Sequence, residues 1–104
     1  MLRVSAIYPN LLGSHFDGDD YVDRHAPFAR GLLEPLGLRA LRITIGTAAL
    51  DGAPPPYWAL SELIFDDRDS FDRAMGICGA ALMGDAPRYT NVDPVLQISS
   101  LIDA

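Results

Sequence analysis

Along the chain, apolar and polar positions change their rhythm several times, and each rhythm predicts an element. Residues 2–9 (LRVSAIYP) alternate and carry branched side chains, which predicts a strand stopped by Pro9. Residues 10–18 read as a loop. Over 19–37 (DDYVDRHAPFARGLLEPLG) the apolar positions recur at helical spacing, with acids in the first turn and Gly37 as a stop. Strands follow over 38–50 and 57–65, joined by the turn-rich DGAPPP of 51–56. A second helix is expected over 66–84, capped by Asp66 or Asp67 and weakened by Gly76 and Gly79. After the DAPRYTN loop, a last strand is expected over 92–103.

The order is β-α-β-β-α-β, the split βαβ arrangement of ferredoxin-like α+β folds, in which both helices lie on one face of a four-stranded antiparallel sheet. Leu2, Val4, Ala6 and Tyr8 share one face of the first strand, with Ile7 on the other. In the third, Tyr57, Ala59, Leu63 and Phe65 oppose Trp58, Leu60 and Ile64, and in the last, Leu96, Ile98 and Ile102 oppose Val95 and Leu101. Strands apolar on both sides need two covers, and two helices supply one. A second copy of the same sheet is the simplest remaining cover, so a homodimer is expected.

Composition narrows the function. A chain of 104 residues is one domain by length. Its fourteen acids outnumber eight bases, all arginine and scattered, for a net charge of −6. An acidic chain without a basic stripe is a poor partner for nucleic acid or an anionic membrane. One cysteine permits neither an internal disulfide nor a thiolate cluster. The interrupted start, MLRVSAIYPNLL, lacks the continuous apolar core of a signal peptide, and nothing reaches the roughly 18 apolar residues of a spanning helix. A cytoplasmic address is expected.

The candidate chemistry sits on the first helix. At 100° per residue, Tyr21, His25, Phe28 and Leu32 fall within about 60° of one another, away from Asp23, Arg24, Arg30 and Glu34. His25 therefore lies on the apolar arc, toward its edge. Pro27 donates no hydrogen bond to the Asp23 carbonyl, so a bend is expected there. A partly shielded histidine can take or give a proton near neutrality, and a tyrosine one turn away can orient it or donate to a developing oxyanion. On helix geometry alone, an edge-of-core histidine bonded to a backbone carbonyl is the commoner reading.

Three separated motifs carry a resemblance. FDGDDYVDRHAPFARGLLEP, PPPYWALSELIFDDRDSFDRAM and GDAPRYTNVDPVLQIS together resemble the EthD family, a branch of the dimeric α+β barrel proteins, nearly from end to end. The resemblance implies a ferredoxin-like protomer whose sheets pair into a barrel. Phe16, Asp17, Tyr21, His25 and Pro27 fall on the family's first motif, and Tyr89, Thr90, Pro94, Gln97 and Ser99 on its last. Val22 and Phe28 depart from the family's usual residues and would reshape a pocket wall.

Other residues carry less. His15 lies in a polar loop and makes no metal pattern with His25. Cys78 falls in the apolar stripe of the second helix, and Asp66, Asp67 and Asp69 read as capping. Tyr57 and Trp58 alternate, so at most one of them faces a cleft. The expectation is a pocket for a small apolar or aromatic molecule, without cofactor or metal. His25 and Tyr21 are its catalytic candidates, and Phe16, Phe28, Tyr57 and Tyr89 its ligand-binding ones. Proton abstraction next to a carbonyl, as in isomerisation, cyclisation or dehydration, would suit this pair, and the resemblance implies a polyketide-like substrate. A non-catalytic binding or accessory protein of a catabolic or biosynthetic pathway is the alternative.

Overall fold

A computed structural model describes residues 1–104. The strands are β1 (Leu2–Pro9), β2 (Ala40–Ile45), β3 (Tyr57–Phe65) and β4 (Val95–Ser100). They form one antiparallel sheet in the order β2-β3-β1-β4. The first helix runs over residues 18–36 and the second is Arg68–Asp85. The α+β, ferredoxin-like expectation holds. No helix is long and apolar enough to cross a membrane.

β1 and β3 match their sequence-based bounds, because alternation ends in a hard stop at each end. β2 and β4 are shorter than expected. β2 leaves the sheet at Gly46, where a Cβ would stand 2.2 Å from the Tyr57 carbonyl oxygen, so only glycine lets the chains approach this closely. Its N–H still donates to the Trp58 carbonyl at 2.9 Å. The second helix is capped by Asp67, whose carboxylate accepts from the Ser70 N–H at 2.8 Å. That helix takes in Asp85, one residue beyond the expected end.

The first helix is not uniform. It opens with the short α-helical Gly18–Asp20, capped by Asp17, and widens to a π-helical turn over Tyr21–His25. It then returns to α-helix over Ala26–Leu33 and closes with a 3-10 turn, Glu34–Leu36. Gly37 ends it with φ of 106°, a left-handed conformation in which a side chain would be strained. The expected bend thus takes the form of a wide turn. Pro27 would clash with the Asp23 carbonyl in a regular helix. Widening the preceding turn, with the Ala26 N–H donating back to the Tyr21 carbonyl, relieves that clash.

Pairing places Val4 opposite Leu63, Ala6 opposite Ser61 and Tyr8 opposite Ala59, all facing the helices. Two clusters form on this face. Ala6, Tyr8, Tyr21, Ala59 and Tyr89 make an aromatic one. Leu33, Leu38, Phe65, Ala74 and Cys78 make an aliphatic one. The far face is less apolar than the alternation alone suggests. Across it run a row of Thr44, Leu60, Ile7 and Val95 and a polar row of Arg42, Glu62, Ser5 and Gln97. Arg3 pairs with Glu62 there at 3.0 Å.

Candidate functional site

Between sheet and helices lies a cavity of about 210 Å³, lined by members of both clusters. Most of its wall is aliphatic or aromatic, with Ala29, Leu33, Leu63 and Met75 among the residues along it. Most of its polar groups gather at the aromatic end, His25, Tyr8, Tyr21, Tyr89 and Ser61, and the exposed Asp93 also lines it. Met83 and Leu96, both largely exposed, also line it and mark where it meets solvent.

His25 is buried, and its Nδ1 lies 2.6 Å from Oδ2 of Asp85. Asp85 is equally buried and accepts a second bond, at 2.9 Å, from the Arg24 guanidinium. Arg24 also grips Asp20 with two bonds, at 2.7 and 2.8 Å. Asp20, Arg24, Asp85 and His25 thus form one chain of charge-assisted contacts. The Arg24 guanidinium, and after it His25, holds the Asp85 carboxyl below its ordinary range, so it is ionised at neutral pH. An ionised carboxylate can only accept. It therefore fixes the imidazole proton on Nδ1 and leaves a lone pair on Nε2. Nε2 has no hydrogen-bond partner within the chain and is the nitrogen left to meet a bound molecule.

The π-helical turn makes this arrangement possible. It carries Arg24 and His25, adjacent in sequence, to the two oxygens of one carboxylate. The same turn lays the His25 ring against that of Tyr21, 5.2 Å between centroids and 12° from parallel. Tyr89 closes on His25 from another side at 4.8 Å.

The tyrosines are joined in pairs. The Tyr8 and Tyr89 hydroxyls lie 2.9 Å apart, and the Tyr21 hydroxyl is hydrogen-bonded to the Ser61 Oγ. Burial pushes the Tyr8 and Tyr21 hydroxyls far above the usual phenol value and that of Tyr89 up to about 12. All three keep their protons at neutral pH.

Of the residues singled out in the sequence, His25, Tyr21 and Tyr89 come together in the cavity wall. Phe16 stands behind them, its ring 5.0 Å from Tyr21 and 5.5 Å from Tyr89, and shapes the aromatic end without lining it. Phe28 and Tyr57 do not line the cavity; both are exposed, Phe28 with its ring 6.2 Å from His25. A loop that ties Thr90 to the His15 carbonyl at 2.7 Å holds Tyr89 in place, while the His15 side chain is exposed.

Sequence reasoning missed Tyr8, Ser61, Arg24 and Asp85. A signal for Asp85 existed: an acid in the last turn of a helix opposes the macrodipole, and such a residue wants a cation nearby. Ser61, a polar residue on the inward face of an otherwise apolar strand, carried a comparable one.

Among solved structures, an EthD-like protein from Ralstonia eutropha JMP134 superposes with a TM-score of 0.89 at 35% identity, covering 98% of this chain and 92% of that one. An ethyl tert-butyl ether D (EthD) family protein from Bacillus halodurans C-125 gives 0.69 at 22% identity, covering 98% and 99%. HapK from Hahella chejuensis gives 0.60 at 17%, covering 100% and 95%, a likeness of fold. No family model matches the chain, and no curated protein does.

Proposed function

This chain belongs to the EthD family, and from that premise we propose that it binds a small, largely apolar carbonyl compound and that His25 acts on it as a general base. The observation that carries the reading is the His25–Asp85 pair in the wall of an apolar cavity, with Nε2 left unbonded. A histidine serving only the core would not need a buried carboxylate to fix its tautomer. The size fits too: a cavity of about 150 Å³ takes benzene, so one of about 210 Å³ has room for a substituted ring.

The chemistry follows from the groups present. Nε2 takes a proton from the carbon beside the carbonyl. The C–H electron pair moves into the carbonyl system, and negative charge develops on its oxygen. Tyrosine hydroxyls, which burial keeps protonated, donate to that oxygen, and the Asp85 carboxylate stabilises the imidazolium. Return of the proton to a different carbon completes an isomerisation; loss of a β-hydroxyl, which leaves as water with that proton, is a dehydration. Tyr21 would steady the imidazole by stacking, and Phe16 would hold Tyr21 and Tyr89 in place.

The test is exchange of α-hydrogens for deuterium in an aryl ketone held in D₂O with the protein. Exchange that is lost in His25→Ala supports the base. Binding that perturbs His25 with no exchange in wild type would overturn it and make the protein a carrier.

A second copy of the chain is part of the same reading. Only 19 of 104 residues are buried in one protomer, and the far sheet face presents the row of Thr44, Leu60, Ile7 and Val95. Covering that row by its symmetry mate leaves both cavities, on the helix side, accessible. A protomer mass in sedimentation at micromolar concentration would remove the dimer.

A further inference from the structure

The cavity is long, and the two helices define its length. Phe71, Gly79 and Met83 line it from the second helix, and His25, Ala29 and Leu33 from the first. Phe71 and Met83 are separated by about 18 Å of helix, at 1.5 Å per residue. A volume of about 210 Å³ spread over that length is a narrow slot, which suits a chain better than a fused ring system. Two cross-contacts fix how the helices run. Asp85 meets His25, and two turns away the Cys78 Sγ lies 3.8 Å from the Leu32 carbonyl oxygen. The helices are therefore antiparallel, and Gly79 comes level with the stretch between Ala29 and Leu33. It stands about 9 Å along the helix axis from Asp85, and so from the His25 end of the slot.

Nothing in the chain's own packing calls for glycine at position 79. Its φ is not positive, and an added Cβ would meet only Met75, at 3.8 and 4.0 Å, an ordinary contact. Gly46, by contrast, has a carbonyl oxygen pressed against it. Inside a helix glycine is less favourable than alanine. What the missing side chain leaves is room in the slot, one turn from Met75 and from Leu82 and level with Leu33. Room alone is not a site. The same slot also holds the unbonded Nε2 of His25, a side chain nine-tenths buried. We propose that the ligand is elongated, with its polar, reacting end at His25 and an unbranched alkyl chain running between the helices past Gly79, and that Gly79 sets the chain length the protein accepts. This rests on the cavity being the ligand site and adds the shape of the ligand to that reading.

The experiment compares hexan-2-one with nonan-2-one, which share a methyl ketone head and differ only in reach. With the carbonyl at His25, the first stops short of Gly79 and the second arrives at it. Affinities are read from the shift of the His25 ring signals, with the exposed His15 as the internal control. Burial of one methylene is worth about fourfold in affinity, so nonan-2-one should bind the wild type at least about tenfold more tightly. Gly79→Ala should cost nonan-2-one at least about fourfold and leave hexan-2-one unchanged. Gly76→Ala alters an exposed position of the same helix, off the cavity, and should leave both ketones unchanged. Both variants should raise the melting temperature, which separates lost binding from lost folding. Equal affinity of the two ketones for the wild type would overturn the elongated ligand and leave the His25 site standing. Gly79→Ala that binds nonan-2-one as the wild type does, or that loses both ketones alike, would overturn the role of Gly79. If neither ketone moves the His25 signals at millimolar concentration, the cavity is not the ligand site and both readings fall.

Discussion

His25 and Asp85 lie 60 residues apart in sequence, and 2.6 Å separates Nδ1 of one from Oδ2 of the other. The contact joins a π-helical turn to the end of the second helix, so two elements must be correctly placed before the imidazole is oriented. Asp85→Asn keeps the size of the side chain and removes its charge. The amide can then meet Nδ1 with its NH₂ and favour the wrong tautomer, with the proton on Nε2. α-Hydrogen exchange should fall by about 10²-fold or more, the range typical of general-base contributions, while affinity for an aryl ketone changes little. A variant that exchanges as fast as wild type would show that Asp85 does not govern the base.

Stability tests the same pair through pH. The folded-state pKa of Asp85 lies below the ordinary 3.8, held there by Arg24 and then by His25. A depressed carboxyl contributes stability that is complete above its unfolded value and is lost as pH falls through its folded value. The difference in urea midpoint between wild type and Asp85→Asn should therefore be full above about pH 4. It should close as the solution is acidified below that. A difference that stays constant down to pH 2 would show that the carboxylate is not paired in the folded protein.

Pro27 ties local strain to function. If it causes the wide turn, Pro27→Ala lets residues 21–25 return to regular helix and rotates His25 away from Asp85. Pro27 is exposed, and its ring stabilises partly by limiting the unfolded chain. The variant should change stability by no more than about 1 kcal/mol in either direction. Exchange activity should nonetheless drop at least about tenfold, an observable of general-base loss. Preserved activity, together with an unchanged His25 resonance, would mean that the aromatic contacts hold the turn without the proline.

The cavity can be filled. Ala29 is buried one turn beyond His25 and lines the wall. In a close-packed core, Ala29→Leu would cost about 1–3 kcal/mol through overpacking. Here the added atoms have space to enter, so the change in stability should stay below that range while aryl ketone affinity falls at least about tenfold, as loss of about 1.4 kcal/mol requires. Large destabilisation with intact binding would place the ligand elsewhere.

How much of this was legible in the sequence depended on whether the signal was local. β1 and β3 could be bounded because alternation and a stop residue sit within a few positions of each other. β2 could not, since its end is set by the close approach of Gly46 to Tyr57, eleven residues further on. In the site, helical spacing put Tyr21 and His25 on one arc, and Pro27 signalled an irregularity without revealing that it widens the turn. Asp85 and Tyr8 join His25 only through the fold, as their sequence neighbours give no hint of each other. The family motif pointed to Tyr89, which helix geometry could not. Phe28 shares the His25 arc and still ends outside the cavity, because an arc of about 60° spans both the inner face and its exposed edge.

The far sheet face gives the last prediction. Leu60 sits mid-row between Thr44 and Ile7 and is exposed in the protomer, although leucine at that place gains nothing from facing water. In a symmetric pair this row meets its mate, and burying a leucine contributes about 1.5–3 kcal/mol. Leu60→Asp would replace that gain with two buried carboxylates brought toward one another across the axis, which neither Arg3, held by Glu62, nor the apolar row offsets. Sedimentation of the wild type should give twice the protomer mass and that of Leu60→Asp the protomer mass, with the α-hydrogen exchange rate per chain largely kept, since His25, Asp85 and the cavity lie on the opposite side of the sheet. If the variant remains a dimer, the two copies meet through another surface. The exposed β4 edge, where Val95 and Leu96 stand in solvent, would then be the one to substitute next.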